Sequence, residues 1–169
     1  MAEPRDLGAL RRIAAGAIGE PGRRRFRLMA LSQEGAFALM WLEKEQLAAL
    51  GDAIETVLDA EHHQPPAIPP DDVQAVPDFP ASADLEFRVA QLSMGVDQRR
   101  GRMVIVAAGA EEAGDPSVSM EIGFRAGQEL REQISAVLAA GRPPCPLCGG
   151  PVDPQSHVCP RHNGHHQTT

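Results

Sequence analysis

The residues best equipped for chemistry lie near the C-terminus. Cys145 and Cys148 enclose Pro146 and Leu147 in a C-x2-C pair, and Gly149 follows. Two intervening residues let a chain turn around one ion, and the glycine lets backbone amides curl toward the sulfurs. Cys159, eleven positions further on, supplies a third thiolate. A closed tetrahedral site needs one more ligand. His162 would complete a C-x2-H pair that mirrors the first turn, and His157 would form an H-x-C pair with Cys159. Three sulfurs and one imidazole fit a structural zinc ion, because no coordination position is left for an activated water. The competing reading, a redox pair at Cys145 and Cys148 with Cys159 incidental, lacks the βαβ setting of thioredoxin-like motifs. His165 and His166 sit beyond the ligand run and read as solvated tail residues.

A second constellation is cationic. Arg23, Arg24 and Arg25 follow one turn, and Arg99, Arg100 and Arg102 surround another. Six guanidinium groups brought together would grip a phosphate or carboxylate bidentately, whereas scattered they are ordinary solvated turn residues. The Gly19-Glu20-Pro21-Gly22 turn is no phosphate cradle, since it leads into a strand and not into a helix N-terminus. Trp41 reads as a core residue, with a partner-binding anchor as the alternative. Nucleophilic catalysis finds no support: there is no G-x-S-x-G elbow, no cysteine outside the tail and no tyrosine. His62 and His63 end a helix, where imidazole is favoured by the dipole alone.

The elements that would position these groups repeat. Strands are expected at 12–19, 24–32 and 36–42, the second with Phe26, Leu28 and Ala30 on one face. A helix over 43–62 carries Leu47, Leu50, Ile54, Val57 and Leu58 at three- and four-residue spacing. Residues 63–84 contain six prolines, which excludes regular structure. The order then recurs: strands at 85–95, 102–109 and 117–124, and a helix over 125–140 with Leu130, Ile134, Val137 and Leu138 as its stripe. At an offset of 80 residues Met40 maps onto Met120, Leu42 onto Ile122, and Leu50 and Ile54 onto Leu130 and Ile134. The expected fold is α+β: duplicated βββα units over 10–62 and 84–141 around a proline-rich linker at 63–83. Their three-stranded antiparallel sheets would be joined or facing, with two packed helices. Gly141 and the Pro143-Pro144 pair end the last helix, leaving 142–169 as a zinc-knuckle tail.

Composition sets the outer limits. A chain of 169 residues with 43% hydrophobic residues can bury one core and carry a small appendage. A net charge of −7 argues against general nucleic-acid or membrane-surface binding. No apolar run approaches the ~20 residues that span a bilayer. Arg11-Arg12 before Ile13–Gly19 mimics an export signal, but the run is too short and has no cleavage site. Three cysteines confined to the tail point to metal ligation in a reducing compartment, the cytoplasm.

Segments along nearly the whole chain resemble one bacterial, mostly actinobacterial, repeat-protein family: domain-of-unknown-function family three thousand and ninety. The resemblance lies in Ala15–Gly22 with Arg25-Phe26, in Leu42–Gln46, and in Cys145–Gly149 through His157–Arg161 with Asn163-Gly164. It supports the duplication and implies that His157, not His162, belongs to the motif. Genes of that family often neighbour a lipid-kinase-like protein and a phosphoglycerate-mutase-like phosphatase, which implies phosphate-related company. The function expected is a non-enzymatic binding or adaptor protein with a structural zinc, recognising a partner protein or an anionic small molecule. The alternative is an enzyme or sensor acting on a phosphorylated small molecule through the paired arginine clusters.

Overall fold

The first strand is longer than its apolar pattern suggests. In the computed structural model, which describes residues 3–61, 78–141, 145–149 and 159, β1 runs Arg5–Ile18. It is followed by β2 (Arg25–Ser32), β3 (Phe37–Leu42) and helix α1 (Lys44–Glu61). The second half contains β4 (Leu85–Asp97), β5 (Arg102–Gly109), β6 (Ser117–Gly123) and helix α2 (Phe124–Ala139). Among the described residues the order β-β-β-α thus occurs twice. The expected turn at 110–116 holds one short 3-10 helix, Glu111–Ala113.

The sequence led us to expect two three-stranded antiparallel sheets, joined or facing; instead all six strands close into one barrel in sequence order, with two parallel joins. Pairing is antiparallel within each half (β1 with β2, β2 with β3, β4 with β5, β5 with β6). The two joins, β3 with β4 and β1 with β6, are parallel. A parallel neighbour cannot be reached by a hairpin; β3 reaches β4 by way of α1 and the long connection that follows it.

The length of β1 and β4 follows from this closure. Each is shared between two neighbours. Arg5–Ala9 pairs with β6 and Leu10–Ile18 with β2. Likewise Leu85–Arg88 pairs with β3 and Val89–Asp97 with β5. The register of each shifts near the handover, between Leu10 and Arg12 in β1 and between Val89 and Gln91 in β4. Such irregularities bend a strand and let it leave one partner for another.

Alternation fills the barrel. Leu28, Ala30, Ala38, Met40, Met103, Ile105, Ala107, Val118 and Met120 are fully buried. Leu47, Ile54 and Leu130 of the helices join the same core, while Val57, Val137 and Leu138 pack at its margin half-buried. At the start of helix α1 the Glu43 amide donates to Gln46 Oε1 at 2.9 Å, one half of a capping box. The helices pack on each other across Gly51, where a Cβ would lie 3.1 Å from Ile134 Cγ2. Arg24 Nη2 donates to the Val137 carbonyl at 2.5 Å. It supplies a cation that the last turn of α2 lacks on its own.

Gly19 opens the β1–β2 turn at φ +102°, and a Cβ there would sit 2.6 Å from the Arg23 carbonyl oxygen. Gly19→Ala therefore meets both an unfavourable dihedral and a backbone clash. It is expected to cost about 1–3 kcal/mol, read as a lower urea midpoint with unchanged slope.

Beyond α1, the expected proline-rich linker falls mainly on residues 62–77, outside the described residues, as do His62 and His63. Where description resumes, the chain is tied down. Phe79 packs on Phe37 at 5.3 Å between centroids and Arg12 lies over its ring. The Phe37 amide donates to Asp84 Oδ2 at 2.8 Å, and the Asp84 amide donates to the Phe37 carbonyl.

Candidate metal centre

Helix α2 ends at Ala139, and the Gly141 amide just beyond it donates to Leu138 O. Cys145 to Gly149 then form one tight turn. The Gly149 amide donates to the Cys145 carbonyl at 2.8 Å, and Gly149 adopts φ +71°, a left-handed conformation natural to glycine. This turn aims the amides of Cys148 and Leu147 at the Cys145 sulfur, as expected of a C-x2-C knuckle.

The three sulfurs converge. Cys145, Cys148 and Cys159 place their Sγ atoms within 4.8 Å of one another. Cys145 Sγ and Cys159 Sγ are 3.8 Å apart. A tetrahedral ion with Zn–S bonds of about 2.3 Å requires S···S edges of about 3.8 Å, so this pair already has the spacing of two thiolates on one ion. Cys145 and Cys159 are buried and Cys148 is half-buried, while Leu147 at the tip of the turn is 52% exposed.

Electrostatics favour the ligand form. The amide of Cys148 first, then that of Leu147, donates toward Cys145 Sγ and stabilises the thiolate. Desolvation opposes them, and the other two cysteines add smaller stabilising contributions. The net effect lowers the Cys145 pKa from 9.0 to about 6. Among the described residues no histidine or carboxylate joins the three sulfurs. His157, His162, His165 and His166 lie outside the described residues.

The arginines have been put to separate uses. Arg24 caps α2 and lies over Phe26. Arg25 stacks 4.0 Å above the Trp41 ring. Arg100 pairs with Glu121 Oε1 at 2.6 Å. Arg23, Arg99 and Arg102 have no side-chain partner among the described residues. The open hollow beside the second hairpin is lined by Gly95–Arg99 and Val104, and none of Arg23, Arg24 and Arg25 reaches it.

Trp41 is not a core residue, contrary to expectation. It is half-buried on the outer face of β3, between Arg27 of β2 and Arg88 of β4, and its Nε1 donates to Glu86 Oε1 at 2.9 Å. Alternation decides this: Met40 and Leu42 point inward, so Trp41 cannot. The sequence reading also missed Gln46 and Gln133. Their amide groups hold strand backbone from the helices, Gln46 Nε2 at the Val89 and Ala90 carbonyls and Gln133 Oε1 at the Ala15 amide. A single half-buried glutamine on a helix carries no sequence signal for such a role.

The model of one protein family, described as Protein of unknown function (DUF3090), matches residues 6–159. The chain belongs to this family. The match runs through the barrel, both helices and all three cysteines. No curated protein matches the chain. No helix among the described residues is long and apolar enough to cross a membrane.

Proposed function

We propose that this member of the DUF3090 family is a non-enzymatic binding or adaptor protein, with a tail fixed by one structural zinc ion. Cys145, Cys148, Cys159 and His157 would hold the ion, and His162 is the alternative fourth ligand. The observation that carries the reading is the 3.8 Å separation of the Cys145 and Cys159 sulfurs, with Cys148 in the same cluster. Four protein ligands leave no open position, so the ion would order the chain and not activate water. The exposed Leu147 at the tip of the knuckle suits a docking element that contacts a partner protein.

The body is read as a duplicated βββα unit. In support, Met40 and Met120 are both fully buried, as are Ile54 of α1 and its counterpart Ile134 to within 2%. A second reading, an enzyme or sensor for a phosphorylated small molecule, draws on Arg23, Arg99 and Arg102, cluster cations with no side-chain partner among the described residues. It requires that inorganic phosphate bind the wild type and not the triple alanine variant.

The test of the zinc reading is elemental analysis of protein purified without chelator. One zinc per chain is expected. His157→Ala should lower that content and His162→Ala should leave it, and the reverse pattern reassigns the fourth ligand. Protein free of any transition metal would overturn the reading.

A further inference from the structure

The outer surface of the barrel at β2 and β3 holds cations that the fold does not pair. Arg25 and Arg27 are alternate residues of β2 and point to the same side of the sheet, away from the buried Phe26 and Leu28. The two helices pack on each other and on β1, β4, β5 and β6. Each guanidinium is held in place by an uncharged neighbour. Arg25 lies 4.0 Å above the Trp41 ring, and the ring is fixed in turn by its Nε1 bond to Glu86. Arg27 stands in register between Gly16 and Trp41. Its side chain lies against Gly16, where an added Cβ would come 3.5 Å from Arg27 Nε.

Neither cation has an anionic partner among the described residues. The nearby carboxylates are engaged elsewhere: Glu86 Oε1 accepts Trp41 Nε1, and Glu43 pairs with Arg88. Arg27 Nε is buried and has no acceptor among the described residues. A buried donor on a charged group is costly when left unpaired. The fold thus orients two guanidiniums for acceptors that its described residues do not supply.

We infer that Arg25 and Arg27 form a docking site for a short acidic segment of a partner protein, two carboxylates spaced as alternate residues of an extended chain. Spacing selects this class. Alternate residues of a strand are about 7 Å apart, so an extended segment laid over β2 sets one carboxylate on each guanidinium. Each contact is then charge-assisted and bidentate. Because both side chains are already positioned, little ordering opposes binding. Shape and charge argue against other anions. The outside of a closed barrel is convex, whereas small-molecule sites are concave. A nucleic acid brings a continuous run of phosphates against a chain of net charge −7, past Glu43 and Glu86 at the border of the site. The inference rests on reading the body as a binding domain, and it names the chemistry of the partner.

Trp41 is the one tryptophan of the chain, so its fluorescence reports on this site directly. The probe is a capped peptide carrying Glu-Thr-Glu between glycines, titrated into the full zinc-loaded chain, with its Gln-Thr-Gln analogue as control. A saturable change is expected with the first and none with the second. Arg25→Gln and Arg27→Gln should each weaken binding about tenfold or more, the effect of losing a hydrogen bond to a charged group. Circular dichroism checks that both variants fold. Should either fail to fold, a salt series on the wild type serves instead, and affinity should fall as salt rises. An absent or salt-insensitive response to the acidic peptide overturns the inference, as does an equal response to the two peptides. So does affinity that survives both substitutions. Tighter binding of inorganic phosphate or of an oligothymidylate overturns it too, by giving these cations a different ligand. Zinc content, measured on the same samples, keeps the failures apart. A zinc-bearing chain that ignores the peptide overturns this inference and leaves the zinc reading of the tail standing; a zinc-free chain that binds it does the reverse.

Discussion

Replacing Cys148 with serine is expected to abolish stoichiometric metal binding while the barrel stays folded. Cys145 and Cys159 are buried, yet neither belongs to the cluster that fills the barrel. Loss of the ion should therefore remove order from the tail without opening a cavity in the body. Circular dichroism should keep its strand and helix signal, and the main thermal transition should move little. A large drop in that transition would show that the knuckle is a structural part of the barrel. The same site should respond to pH in a defined direction. The folded Cys145 pKa of about 6 lies below the ordinary 9.0. A depressed acid contributes stability that is complete above its unfolded pKa and lost as pH falls through its folded pKa. Here the window runs from about 9 down to about 6. Metal ligands must be deprotonated to bind, so metal retention should be firm at neutral pH and weaken on acidification, at a pH set by competition between proton and metal for the thiolates.

Much of this architecture could be read from the sequence because its signals are local. The stripe of Leu47, Leu50, Ile54 and Leu58 needs only helical spacing, and all four residues are buried in α1. The alternation of Val118, Met120 and Ile122 needs only a period of two, and β6 buries all three. What failed was long-range. The stretch from Arg5 to Arg11 contains Asp6 and Gly8 and looks like loop; it becomes strand because β6 pairs with it in parallel. Nothing within a strand announces its non-sequential neighbour, so closure into a barrel, with its two parallel joins, was not visible. Trp41 was misplaced because a large aromatic in an apolar run looks like core, and only parity with Met40 reveals that it faces out. The cysteine cluster was legible for the opposite reason: metal ligation imposes a short-range spacing rule, and Cys145-x2-Cys148 obeys it. The partners of the arginines were not legible, because charge alone does not say what a guanidinium will meet: Arg24, Arg25 and Arg100 each take a different one.

Met40→Ala and Met120→Ala are each expected to cost about 2–5 kcal/mol, the range for emptying a fully buried large side chain. Both side chains are wholly inaccessible. Met40 lies between Leu28 and Phe87 in register, and Met120 faces Ile105. At the ~2–4 °C per kcal/mol typical of a domain this size, the melting temperature should fall several degrees at the least. Leucine at either site should cost under ~1.5 kcal/mol, because it nearly conserves the volume. The pair decides more than packing. Were the halves independent units, Met40→Ala would lower one transition and leave a second untouched. The barrel excludes that outcome, because β3 lies hydrogen-bonded to β4 and β1 to β6, and α1 packs on α2 over one shared core. Each single substitution should therefore shift one undivided transition, with calorimetric and van't Hoff enthalpies in agreement. A split transition in either variant would mean that the two parallel joins do not couple the halves, and that closure of the barrel adds little to its stability.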